Sequence, residues 1–151
     1  MLSAVRNLVP EIYNYCYLSY GWNSFLKFSS HSISSEEDAQ QGDPLGPLLF
    51  YFTIHPMLQS LASDIVIGYL DDITLGGDEP VLAADVAQIQ TQGEAVGLKL
   101  NINKCEFISD SGTPSTSLFQ DFVHLPLGSA TLLGGPTKSR KGHGRQFIKA
   151  I

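Results

Sequence analysis

The stretch from Ile65 to Gly77 constrains this chain more than any other. Ile65-Val66-Ile67-Gly68-Tyr69-Leu70 is an apolar, β-branched run, and Ile73-Thr74-Leu75 is a second that ends on Gly76-Gly77. Only Asp71-Asp72 separates them, so the stretch predicts a tight antiparallel hairpin. Asp-Asp is a poor choice for such a turn. Its central positions call for φ > 0, which favours Asn-Gly or Asp-Gly. Adjacent carboxylates also repel each other unless a cation or a raised pKa relieves them. An ordinary acidic turn is one reading. A divalent cation is the other, because Mg²⁺ takes carboxylate oxygens together with substrate phosphates. A local rule broken inside an apolar hairpin points to function rather than to folding.

The totals set outer limits. A chain of 151 residues with 43% hydrophobic content can pack one core and is not expected to be globally disordered. Cys16 and Cys105 form no CxxC pair and have no zinc-type spacing, so they read as reduced core thiols of an intracellular protein. There is no apolar run of membrane-spanning length and no charged start followed by an apolar stretch, so neither a membrane nor a secreted protein is expected. The net charge of −6 hides an uneven distribution. Residues 1–137 hold all 15 acids against Arg6, Lys27, Lys99 and Lys104, a net of −11. Residues 138–151 hold Lys138, Arg140, Lys141, Arg145 and Lys149 and no acid, a net of +5. An acidic body with a basic tail implies no partner by itself. The tail, 138–151, is expected to be flexible, and residues 1–137 to form the folded domain.

Along the chain, Leu2, Val5, Leu8 and Val9 fall at helical spacing. Pro10 suits the first turn of a second helix, with Glu11 beside its positive end. Tyr13, Cys16, Tyr17 and Tyr20 make one stripe of that helix, which at this spacing is core rather than a base-stacking surface, and Gly21 ends it. Residues 22–28 and 33–39 predict two strands around a serine-rich turn, with His31 facing solvent. Asp43-Pro44 is a helix start: the carboxylate caps, and the proline occupies the first turn. Leu45, Leu48, Leu49 and Phe52 then define a buried face that continues to Leu58 and Leu61, with a kink expected at Pro56. Gln41-Gly42, just before the cap, would let a sugar-phosphate approach the helix N-terminus.

Asp78-Glu79-Pro80 starts another helix, with Leu82, Val86, Ile89, Gly93 and Val96 on its buried face and Gly97 at its end. The alternation from Leu98 to Asn103 predicts a half-buried strand continued by Lys104 to Phe107. A Ser/Thr/Gly/Pro-rich loop follows at 110–117, then a strand over 118–127 broken by Pro126. The expected class is α+β: an antiparallel sheet centred on the 65–75 hairpin, with helices on one face.

Taken as strings, Gln40 to Phe50 followed by Tyr69-Leu70-Asp71-Asp72 resembles the palm of a reverse transcriptase, particularly the non-LTR retrotransposon kind. The segment Gly97-Leu98 through Lys104-Cys105 resembles the part of that palm that follows the Asp-Asp hairpin, and Leu132 to Pro136 resembles a strand-and-turn beyond it. The resemblance implies a catalytic, metal-binding pair at Asp71 and Asp72, holding Mg²⁺ or Mn²⁺, with two ions only in a complete site. It implies an acid role for Lys104 near the incoming nucleotide's phosphates. It also implies nucleic-acid or nucleotide contacts at Gln41, Gly42 and Tyr69. The partners would be an RNA or DNA template with its primer, and dNTPs.

One departure matters. The family's third carboxylate lies on an earlier strand, and residues 1–30 hold a single acid, Glu11, at a helix start. The first catalytic strand, the fingers and most of a thumb are therefore expected to be missing, and the chain alone to be inactive. The alternative is a non-catalytic relic or interaction module of retroelement origin. A different Mg²⁺ phosphotransferase is a weaker option, because the chain has no Gly-rich phosphate loop with Lys-Ser/Thr. A hairpin lacking its neighbour would leave an open sheet edge, which favours self-association.

Overall fold

The computed structural model describes residues 2–35, 43–110, 113–132, 135–136 and 146–150. It divides into two compact units, Met1–Pro56 and Met57–Ile151.

The first unit opens with helix α1 (Leu2–Leu8), a 3₁₀ turn at Pro10–Ile12 and helix α2 (Tyr13–Tyr20). Pro10 does sit where a missing N–H costs nothing, at the start of that turn. The α2 stripe is core in part. Cys16 is fully buried in a cluster with Val5, Leu49 and Phe52, and Tyr13 and Tyr20 pack against it. Tyr17 is exposed and lies against the ring of Tyr13. Strands β1 (Ser24–Phe28) and β2 (His31–Ser35) pair antiparallel around Ser29-Ser30, so the turn is shorter than the sequence predicts. Positions 36–39 of the expected return strand lie outside the described residues.

Helix α3 (Gly46–Gln59) runs on through Pro56 and crosses from the first unit into the second. Its start is built as expected. The Asp43 carboxylate accepts the Leu45 N–H at 2.8 Å, and the Gly46 N–H donates to the Asp43 carbonyl at 3.0 Å. This satisfies two of the donors that a helix N-terminus leaves open. Leu49 and Phe52 are buried, whereas Leu48, assigned to the same face by spacing, is exposed.

The second unit is a five-stranded sheet. Its strands are β3 (Ile65–Tyr69), β4 (Asp72–Gly77), β5 (Glu106–Ser109), β6 (Val123–Pro126) and β9 (Gln146–Ala150), in the order β3-β4-β9-β5-β6. Helix α4 (Glu79–Ala95) lies against β4 and β9. All pairings are antiparallel except β5 with β6. The short strands β7 (Thr131–Leu132) and β8 (Gly135–Pro136) pair separately. The α+β class holds. The hairpin, however, is at one edge of the sheet, and the central strand is β9.

That strand corrects the expectation of a flexible tail for residues 146–150. Ile148 is fully buried and pairs with Leu75 on one side and Phe107 on the other, both also fully buried. Three matched apolar side chains on adjacent strands hold the centre of the sheet. Gly76 makes room for this arrangement: a Cβ there would come within 2.8 Å of the Phe147 ring.

Helix α4 buries Leu82, Val86, Ile89 and Gly93 as its spacing predicts, while Val96 stays exposed. Gly97, at φ +81°, closes it. The Leu98 N–H reaches the Gly93 carbonyl at 2.9 Å, and the Gly97 N–H reaches Glu94 at 3.2 Å. This is the paired bonding of a Schellman end.

The alternation after Gly97 does not become a strand. Residues 98–101 are irregular, Ile102–Lys104 form a 3₁₀ turn, and β5 begins at Glu106. Local bonds win over the alternation here. The Lys104 N–H donates to the Asn101 carbonyl at 2.9 Å, and the Cys105 thiol donates to the same oxygen at 3.3 Å. Residues 117–119 likewise form a 3₁₀ turn, so only the second half of the 118–127 run is strand.

Candidate functional site

The hairpin places its two carboxylates differently from one another. In the paired register Tyr69 faces Asp72, so the connecting residues are Leu70 and Asp71. The turn therefore sits one residue earlier than the Asp-Asp spacing predicts. Asp71 is at the exposed tip, and Asp72 is a half-buried strand residue. Leu70 takes the positive φ of the turn, +54°, a conformation usually left to glycine. A left-handed leucine costs roughly 1–2 kcal/mol. Because Leu70 is already largely exposed, Leu70→Gly is expected to stabilise the chain by about 0.5 kcal/mol after glycine's own entropy cost. A urea midpoint shifted upward in this variant checks the point.

Directly opposed residues of antiparallel strands share a face. Asp72, Thr74 and Gly76 therefore share one face of β4 with Tyr69 on β3 and with Phe147 and Lys149 on β9, through the pairs Tyr69–Asp72, Gly76–Phe147 and Thr74–Lys149. Glu106 on β5 pairs with Lys149 and joins the same face. Following the register across the sheet, Thr74, Lys149 and Glu106 lie in one row. Asp72 and Lys104 are each two residues before that row, so both lie at the same end of the sheet, two strands apart. Neighbouring strands are about 4.8 Å apart, which sets the separation of their backbones at roughly 10 Å. Lys104 is exposed at the end of its 3₁₀ turn, and Tyr69 is exposed on β3. Gln41 and Gly42 lie outside the described residues.

The family model for reverse transcriptase (RNA-dependent DNA polymerase) matches residues 7–140. The chain belongs to the reverse transcriptase family. No match was found among curated proteins or among solved structures. Membership makes the chain an RNA-directed DNA polymerase-like segment, in a family that works on a nucleic-acid template with nucleotide substrates and typically uses divalent metals. The matched span ends before Gln146, so the central strand β9 comes from outside the part that carries the reverse transcriptase signature.

A pair of divalent ions in such a site needs carboxylates from more than one strand. On β4 the neighbours are β3 and β9. Beside Asp72 they offer Tyr69, and beside Ile73 they offer Ala150, so neither adds an acid. Among the described residues, no group of three or more His, Cys, Asp or Glu side chains is arranged to hold a metal. Asp71 and Asp72 can give one hydrated Mg²⁺ one or two carboxylate oxygens, a common way for that ion to bind. They do not fit a two-ion clamp.

Other carboxylates do structural work, of which the sequence shows only the cap at Asp43 and the helix start at Glu79. Asp43 accepts a hydrogen bond from the Tyr20 hydroxyl, and this bond with the Leu45 N–H holds its carboxyl below the usual range. Burial pushes Glu79 up, but hydrogen bonds from Thr116, Ser115 and the Gln146 side chain outweigh it and leave the carboxyl lowered. The Thr116 N–H reaches Glu79 at 2.6 Å. Asp85, buried in α4, accepts from Ala62 and Ser63. Burial, and then the Asp43 charge, raise the Cys16 thiol, which stays protonated and unreactive. Both cysteines are buried. Among the described residues, no helix is long and apolar enough to cross a membrane.

Proposed function

We propose that this chain is the palm part of an RNA-directed DNA polymerase, in which Asp71 and Asp72 bind divalent metal and Lys104 acts as an acid at the nucleotide phosphates. The observation that carries this reading is the family match together with the hairpin register, which puts one carboxylate on an exposed tip and the other beside it on β4. Tyr69, on the same face as Asp72, is proposed to lie against the nucleotide or the primer end, with Gln41 and Gly42 at the nucleic-acid backbone. Nucleotidyl transfer would use two Mg²⁺ or Mn²⁺ ions in a complete site, and a further carboxylate has to be supplied to complete it. The residues described supply none at that position, so the chain alone is proposed to be inactive. The same observation favours the second reading, a non-catalytic interaction module that keeps the fold.

The two readings share one expectation, weak binding of a single ion. Mn²⁺ titrated into the chain should broaden amide signals around residues 69–73 with a dissociation constant of about 1 mM, the range of lightly coordinated oxygen sites. Asp71→Asn and Asp72→Asn should each remove the effect without altering the melt. Unchanged broadening in both variants would remove these residues from the site.

A further inference from the structure

We propose that Lys149 is a built-in cation for Asp72. Its ammonium supplies part of the positive charge that a second metal ion would bring to a complete site, and it weakens divalent-metal binding at the hairpin. The inference rests on the metal-binding role proposed above for Asp71 and Asp72. It starts from the disagreement between a two-ion clamp and the strands flanking β4, neither of which adds an acid beside Asp72.

What β9 brings to this face instead is a lysine. Lys149 pairs with Thr74, and Asp72 lies two residues before Thr74 on the same face of β4. Asp72 and Lys149 are therefore diagonal neighbours across one strand pair. Such positions are about 7–8 Å apart, within reach of a long side chain. On its other side Lys149 pairs with Glu106. One cation thus stands between two carboxylates on three adjacent strands, and all three residues are half-buried. Charges held in that setting are screened less than fully exposed ones. The repulsion within Asp71-Asp72 calls for a positive charge, and the fold places one here. A divalent ion at the hairpin has to bind against it. Charges of +2 and +1 about 8 Å apart in a water-like medium repel enough to weaken binding about fivefold. Gln146–Ala150 lies beyond the span matched by the family model, so this lysine belongs to an element outside the reverse transcriptase signature.

The test uses the full chain with Mn²⁺ as the probe. Mn²⁺ is titrated into the parent, Lys149→Gln and Lys149→Arg at low ionic strength, and the broadening of amide signals over residues 69–73 gives the dissociation constants. Lys149→Gln is expected to bind about fivefold more tightly than the parent, and Lys149→Arg, which keeps the charge, within twofold of it. The gain should shrink as salt is added. Adding Asp72→Asn to Lys149→Gln should abolish it. Equal affinities in the parent and Lys149→Gln overturn the proposal while leaving the metal-binding reading of the hairpin in place. A gain that survives Asp72→Asn also overturns it, since the ion would then sit at Glu106 or elsewhere. Absence of binding in both the parent and Lys149→Gln overturns the metal-binding reading and this inference together.

Discussion

Ile148→Asp should abolish the cooperative fold of the unit Met57–Ile151. The side chain is fully buried between Leu75 and Phe107, on the strand that, among the described residues, joins the hairpin to the rest of the sheet. Truncation to alanine alone costs about 2–5 kcal/mol at a buried isoleucine. A small domain has roughly 5–15 kcal/mol in total. Aspartate adds the cost of a buried charge with no partner. Amide exchange is the appropriate readout: protection across β4 and β5 should disappear in Ile148→Asp and weaken in Ile148→Ala. Lys149→Gln, next to it on the half-buried face, should stay within about 0.5 kcal/mol of the parent. Retained protection in Ile148→Asp would mean that β9 is not the strand that closes the sheet.

The second large effect is expected at Asp85. Its carboxylate is 2% exposed and accepts the Ala62 N–H at 3.0 Å and the Ser63 N–H at 2.7 Å, together with the Ser63 hydroxyl. These bonds fix the connection that leads from α3 into β3, and thus the entry to the hairpin. Asp85→Ala removes the acceptor of the exposed Ala62 and half-buried Ser63 donors, at about 1 kcal/mol for each bond. A loss of about 3 kcal/mol is expected, measured by urea unfolding. Asp85→Asn keeps one carbonyl acceptor and should lose about half as much. The amides of Ala62 and Ser63 should exchange faster in both variants, before any global change. A loss within about 0.5 kcal/mol for Asp85→Ala would show that water replaces the carboxylate at no cost.

Much of this architecture can be read from the residues, for reasons that differ by element. The hairpin is legible because two β-branched runs abut. The end of α4 is legible because Gly97 follows its last apolar turn. The α3 start is legible because Asp43 precedes Pro44. Other features follow from tertiary context. The turn shifts to Leu70-Asp71 because pairing Tyr69 with Asp72 brings Ile73 and Leu75 onto the buried face, at the cost of a left-handed leucine. β9 is hidden because five residues after a polar, basic stretch carry too little pattern to announce a central strand; only its partners reveal it. The run after Gly97 alternates like a strand, yet bonds to the Asn101 carbonyl fold it into a 3₁₀ turn. Asp85 did leave a signal. It falls among Leu82, Val86, Ile89 and Gly93 on a helical stripe, and an acid on a buried stripe calls for donors.

The site divides in the same way. Asp71, Asp72, Tyr69 and Lys104 are legible as motifs, and the register brings Asp72 and Lys104 to one end of the sheet. Lys149 and Glu106, on the same face as Asp72, become visible only once β9 is seen to lie between β4 and β5.

We propose a reverse transcriptase palm whose metal site is incomplete in this chain by itself. Primer extension on an RNA template tests it most directly, with Mg²⁺ or Mn²⁺, dNTPs and an Asp71→Asn control prepared in parallel. No incorporation above the control is expected from the chain on its own. Metal-dependent extension that disappears in Asp71→Asn would contradict it.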